Sequence, residues 1–259
     1  MAFEHIMLDI DAAGVATITL NRADSLNALN GGLIDEMTEA LHTLPESKAR
    51  CLLLTGAGRG FSSGADLVAG GGLPDDVGAA LESHLNPLIE AVFALPMPVV
   101  AAVRGPCAGA GCSLALAADI VIAARSAYFL QAFINLGLVP DAGATWLLPR
   151  LAGRARAMEM MMLGERIPAE TAAEWGMISR VVEDDALDGE AQALAARLAA
   201  GPTVAYGLLR KLARDAEQSS LTDALSAERR VQTLAGRTED FKAGVMGFLH
   251  KQPARFEGR

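Results

Sequence analysis

Apolar and polar residues alternate over residues 5–10 and 15–20, a period of two that predicts paired strands joined through Ala13-Gly14. The period then lengthens. Leu33, Ile34, Met37, Leu41 and Leu44 recur at helical spacing up to Pro45. Residues 51–55 form a short apolar run, read as a strand entering the glycine-rich 56–64 stretch. A helix is predicted over 83–95, stopped by Pro96 and Pro98. A strand at 99–103, a small-residue helix at 109–117 and another strand at 119–123 follow. Such repeated strand–helix units predict an α/β core with helices packed on sheets. Beyond Gly143 the pattern is helical, apart from a strand at 179–182, with apolar residues at helical intervals over 187–198, 204–212, 221–234 and 241–249. Residues 1–200 are expected to form the core, and 201–259 a helical region suited to a subunit interface. Residues 68–78, with Gly70, Gly71, Gly72 and Gly78, read as a mobile loop.

Composition narrows the function. Apolar residues make up 51% of the 259 and charged residues 20%, a globular composition. A chain of this length can bury roughly 70–75% of its unfolded surface, so neither disulfide nor metal is needed for stability. The net charge of −9 speaks against nucleic-acid or acidic-membrane partners, which need a basic footprint. A phosphorylated small molecule needs only a few local cations and N–H groups. Cys51, Cys107 and Cys112 form no Cys-x-x-Cys and read as buried thiols of a reducing compartment. The four histidines show no metal-ligand spacing. The N-terminus lacks a signal-like run, and the longest mostly apolar stretch, 106–118, is too short to span a bilayer. A cytoplasmic protein without metal or redox cofactor is expected.

Among the motifs, Gly56-Ala57-Gly58-Arg59-Gly60-Phe61 fails as a dinucleotide fingerprint because its third glycine position is Phe. Gly60-Phe61-Ser62-Ser63-Gly64 matches the nucleophile elbow of α/β hydrolases, which would make the chain a thioester hydrolase. The elbow needs a strand running directly into it and a helix directly out of it, and the sequence offers neither. Two other glycine-rich elements carry more information: Ser63-Gly64-Ala65-Asp66, and Gly105-Pro106-Cys107-Ala108-Gly109-Ala110-Gly111 leading into a helix. Free N–H groups at a helix start, flanked by side chains too small to block approach, suit a developing negative charge. Tight packing of helix on sheet explains the same residues equally well.

Over essentially its full length the chain resembles the enoyl-CoA hydratase/isomerase (crotonase) family. The matching stretches include Asn21-Arg22 with Leu26-Asn27-Ala28, Phe61-Ser62-Ser63-Gly64-Ala65-Asp66-Leu67, Gly105 through Gly111, Ala118-Asp119-Ile120 and Gly137-Leu138-Val139-Pro140. The resemblance implies a spiral of ββα units with a C-terminal helical region, and a homotrimer or homohexamer. It implies an acyl-coenzyme A substrate, the coenzyme being part of that substrate and not a separate cofactor. Coenzyme A would then run past Ser25, Leu26, Ala28, Ser63, Asp66 and Leu67, with Phe248 and Lys251 reaching its nucleotide end. The N–H groups of Ala65 and Ala110 would form an oxyanion hole on the thioester carbonyl.

Enoyl-CoA hydratases of this family use two glutamates. The resemblance puts Ser113 and Phe133 at those places, so hydration is expected to be weak. Asp141, in Val139-Pro140-Asp141-Ala142-Gly143, matches family members that use an aspartate there as base, the ring-1,2-epoxyphenylacetyl-CoA isomerases among them. The stretches 119–127 and 145–150 resemble that group especially. Ala144 stands where the family usually has glycine, and Arg104 where asparagine is common. The resemblance thus implies an acyl-CoA isomerase acting on 1,2-epoxyphenylacetyl-CoA, with a delta-3,delta-2-enoyl-CoA isomerase or an enoyl-CoA hydratase as the alternatives within the family. A non-catalytic binding protein is the alternative outside it. From the residues alone, Asp141 before a short helix reads as an N-cap. As a base it would gain from apolar walls, for which Phe133, Leu136, Leu138 and Leu81 are candidates. His84 is a spare acid/base candidate.

Overall fold

The structure, a computed structural model, describes residues 3–66 and 76–259. The alternating stretches form β1 (Ile6–Ile10) and β2 (Val15–Leu20), an antiparallel pair. Along the chain follow β3 (Cys51–Gly56), β4 (Val99–Val103), β5 (Pro106–Ala108), β6 (Ile120–Ala124), β7 (Tyr128–Leu130), β8 (Ile167–Pro168) and β9 (Arg180–Val182). The helices before the last strand are α1 (Gly31–Thr43), α2 (Val77–Ala80), α3 (Asn86–Ala94), α4 (Gly109–Leu116), α5 (Ala144–Ala152), α6 (Arg154–Leu163) and α7 (Ala169–Glu174). After it come α8 (Leu187–Ala199), α9 (Thr203–Ala216), α10 (Leu221–Ala235) and α11 (Glu239–His250).

The main sheet runs β1-β2-β3-β4-β6-β9, parallel from β2 onward. Every residue of β4 is buried, as a central parallel strand covered on both faces requires. One face packs against α1, α3 and α4, whose Leu33, Met37, Leu88 and Leu114 are fully buried. The other packs against α8 through Leu187, Ala191, Ala195 and Ala199. The expected α/β class is therefore present.

Two features depart from the sequence reading. The first is a second, three-stranded sheet, β5-β7-β8, which aims α4. The second is the helix expected over 83–95, which begins earlier, at α2. There Asp76 caps it by accepting from the N–H groups of Gly78 and Ala79, and a π-helical turn at Leu81–Leu85 links α2 to α3. The expected mobile loop at 68–78 lies outside the described residues up to 75, and 76–78 form this cap and helix start.

The C-terminal helices are tied to the core by buried polar contacts. Arg210 of α9, 8% exposed, pairs with Asp119 at 2.6 Å and donates to the carbonyls of Val92 and Leu95, which would otherwise be orphans at the end of α3. Asp119 also accepts from the Val99 N–H at 2.7 Å. Arg50 donates to Gly201, Thr203 and Phe256. No helix among the described residues is long and apolar enough to cross a membrane.

Candidate active site

The two glycine-rich elements cross one another. Ser62 bridges to Cys107: the N–H groups of Phe61 and Ser62 donate to the Pro106 carbonyl, and the Ala108 N–H donates back to the Ser62 carbonyl at 2.9 Å. Ser62 is fully buried. Its hydroxyl donates to the Asn27 carbonyl at 2.9 Å and lies 3.2 Å from the Gly64 N–H. Gly111, in the first turn of α4, leaves room for it; a Cβ there would fall 2.4 Å from Ser62 Oγ. Ser62 is thus a clamp between segments, and the hydrolase-elbow reading fails because this hydroxyl is shut off from any substrate.

Gly64, at φ +94°, would place a Cβ 3.0 Å from the Ala108 carbonyl oxygen and 3.5 Å from the Gly109 Cα. Only glycine allows both the left-handed turn and this close approach. The residues following the crossing on each element are Ala65 and Ala110. Gly64 C=O and Asp66 N–H make the bridge to Leu29, so the Ala65 N–H points the other way. Ala110 is the second residue of α4, where no preceding turn supplies a carbonyl. Neither N–H has an acceptor among the described residues. An oxygen gaining negative charge fits two such donors at the positive end of a buried helix.

Asp141 approaches α4 from the other side. Its carbonyl accepts from the Ser113 hydroxyl at 3.2 Å and from the Ala144 N–H at 2.9 Å. It does not cap α5. Ala142 and Gly143 both take positive φ, so the helix starts after them with Gly143 as N-cap and no side-chain cap bond. The carboxylate oxygen Oδ1 is buried and accepts no hydrogen bond from the described residues. Burial pushes the carboxyl up to about 6, against a smaller opposing pull from its own backbone N–H. The N-cap reading is therefore overturned. Phe133, buried, sets its ring against α4, with Cζ 3.6 Å from where a Gly109 Cβ would project.

A second patch adjoins Ala65. The Ser63 N–H donates to the Leu26 carbonyl at 2.9 Å and the Ser63 hydroxyl to the Ser25 carbonyl at 3.2 Å. Arg22 donates to the Ala28 carbonyl and pairs with Asp66 at 2.9 Å. The structure thus gathers Ser25, Leu26, Ala28, Ser63 and Asp66. Leu67 lies outside the described residues. Phe248, 84% exposed at the end of α11, and Lys251, its C-cap, are bonded to none of them.

His84 lies on the surface with Nδ1 2.8 Å from Asp35. Leu136 is 57% exposed, so it walls no cavity within this chain. The sequence reading missed the role of Asn27, whose buried amide receives the Arg22 N–H and donates to the carbonyls of Ala57 and Gly60. Leu26, Asn27, Ala142 and Lys251 are the non-glycine residues at positive φ among those described, and each lies within or beside a candidate site segment.

Comparison with known proteins identifies the family and the fold. The family model for enoyl-CoA hydratase/isomerase matches residues 11–259. A 1,2-epoxyphenylacetyl-CoA isomerase from Escherichia coli (strain K12) is 49% identical, over 95% of this chain and 96% of its own. A protein of Rhodobacter capsulatus named "probable enoyl-CoA hydratase" is 44% identical over the full length of both. The crystal structure of an enoyl-CoA hydratase from Bacillus anthracis superposes with a TM-score of 0.94 at 32% identity, covering 99% of this chain and 100% of that one. The expected crotonase-like α/β fold is thereby shown.

Proposed function

The chain belongs to the enoyl-CoA hydratase/isomerase family, whose members process acyl-CoA thioesters, and on that premise we propose that it is an acyl-CoA isomerase with Asp141 as its base. The observation that carries this reading is the bare, buried carboxylate oxygen of Asp141 beside α4. Ser113 and Phe133 add to it, because neither can activate water as a carboxylate does.

The chemistry follows from the atoms. Asp141 takes a proton from a carbon next to the thioester carbonyl or conjugated with it. The C–H electron pair becomes a C=C bond, and the carbonyl π pair moves onto oxygen. The N–H groups of Ala65 and Ala110 donate to that oxygen and strengthen as its charge grows. Asp141 then returns the proton to a different carbon, which moves the double bond. With an epoxide-bearing ring the C–C bond of the epoxide also opens, its electron pair passing into the double bonds of the enlarged ring, so that no atom is gained or lost. Coenzyme A lies along Ser25, Leu26, Ala28, Ser63 and Asp66.

The 49% identical isomerase and the aromatic Phe133 beside the donors favour a ring-bearing acyl group, a 1,2-epoxyphenylacetyl thioester. Straight-chain 3-enoyl-CoA is the next candidate. Both turn on the same acid/base group, and a paired assay separates isomerase from hydratase. The enzyme should isomerise an epoxyphenylacetyl- or 3-enoyl-CoA while hydrating crotonyl-CoA at least roughly a hundredfold more slowly, since general acid/base groups contribute about that much. Hydration as fast as isomerisation would overturn the assignment.

Assembly belongs to the same proposal. Leu221, Leu225, Leu234, Phe241, Phe248 and Leu249 of α10 and α11 are all more than half exposed, an apolar surface suited to a homotrimer or a homohexamer. In such an assembly Phe248 and Lys251 would reach the coenzyme of a neighbouring subunit. Light scattering at micromolar concentration should return a trimer or hexamer, and a monomer would end this part.

A further inference from the structure

We propose that Ser113 is the positioning residue for Asp141, its hydroxyl pinning the main chain of the base to the second turn of the helix that carries the Ala110 donor. The inference rests on Asp141 being the base, and it adds a function to a residue so far treated only as a missing glutamate.

Ser113 is fully buried, and its Oγ lies 3.2 Å from the Asp141 carbonyl oxygen and 3.4 Å from the Gly109 carbonyl oxygen. A hydroxyl carries one proton, so it donates to one of these at a time. The Gly109 contact alone would be the local back-bond that serines commonly make inside helices. The shorter contact joins two elements that are 28 residues apart in the chain.

Asp141 needs such an anchor. It is followed by Ala142 at φ +50° and Gly143 at φ +79°, and the left-handed turn is costly at Ala142, which unlike glycine carries a Cβ. The Ala144 N–H fixes the Asp141 carbonyl relative to α5. Ser113 supplies the bond from α4, whose N-terminus holds the oxygen during reaction. Proton transfer requires base and donors in a fixed relation, and an error of about 1 Å can cost roughly a hundredfold. The same anchor keeps the Asp141 segment closed over Oδ1, which no described group hydrogen-bonds. A loosened segment would admit water to that oxygen.

The test compares wild type, Ser113→Ala and Ser113→Thr, with Asp141→Asn as reference, by kcat, KM, the pH profile of kcat and an infrared titration of the Asp141 carboxyl. Ser113→Ala should lower kcat roughly tenfold with KM nearly unchanged. Its acid limb and the infrared titration should both move to lower pH as water reaches Oδ1. Ser113→Thr keeps the hydroxyl and should restore the wild-type titration. Wild-type kcat and titration in Ser113→Ala would overturn the proposal. So would a loss of kcat and melting temperature together with the titration unmoved, the mark of packing alone. Undiminished turnover in Asp141→Asn would instead overturn the base assignment. The infrared titration does not depend on turnover and still reports whether Ser113 holds the carboxyl in place.

Discussion

Asp141→Asn is expected to lower isomerase turnover by roughly 10²–10⁴ while acyl-CoA affinity changes little, because the side chain keeps its shape and loses only its capacity to take a proton. Wild-type kcat/KM should fall as pH drops through about 6, where the buried carboxyl of the free enzyme becomes protonated. The effect on stability has the opposite sign to that on activity. The carboxyl titrates near 6 in the folded chain, against an ordinary 3.8. The acid form is therefore favoured by folding. Its contribution is complete below about 4 and is lost as pH rises through about 6. Asparagine is neutral throughout, so the variant should be more stable than wild type above pH 6, by on the order of 1 kcal/mol after allowing for partial exposure. Near pH 4 the difference should vanish. Thermal melts at the two pH values check this. A capping role would give the reverse, a loss of stability with turnover preserved.

Ala110→Pro should cost roughly 10²–10³ in turnover, the usual effect of deleting one donor to a developing oxyanion. A backbone N–H can be removed only by proline. At this position the substitution is tolerable, since the second residue of a helix donates to no preceding turn. The residue before it is Gly109, whose lack of a Cβ relieves the usual restriction ahead of a proline. The folded variant should melt within a few degrees of wild type and still bind an acyl-CoA product, since the donor matters most when charge develops. Turnover within about threefold of wild type in a folded Ala110→Pro protein would show that this N–H does not hold the reacting oxygen.

Much of the fold was legible from periodicity. The two-residue alternation marked β1 and β2, and uninterrupted apolar runs marked β3 and β4. The second sheet was not. β5, β7 and β8 are two or three residues long, too short to show a period, and Pro106-Cys107-Ala108 reads as linker until its pairing with Tyr128–Leu130 is seen. In the site, Gly64 and Gly109 were visible as glycines, but not that they touch. That contact depends on Ser62 folding against Gly111, 49 residues away in the chain. Asp141 shows the limit most clearly. Pro-Asp ahead of a helix looks like a cap, and only the left-handed turn through Ala142 and Gly143 moves the helix start out of its reach. Ser113 stood out only as the residue at a family glutamate's place, and its bond to Asp141 was not legible because that partner lies across a tertiary contact.

Asp141, as the base, moves a proton between carbons of an acyl thioester. The most direct measurement is an NMR time course of a 3-enoyl-CoA in D2O, with wild type and Asp141→Asn in parallel. With wild type the double bond should move into conjugation, with solvent deuterium entering to the extent that the carboxyl exchanges with water. Little 3-hydroxyacyl-CoA should form, and with the variant both migration and exchange should be nearly absent. Migration and exchange in Asp141→Asn at rates close to wild type, or 3-hydroxyacyl-CoA as the main wild-type product, would contradict it.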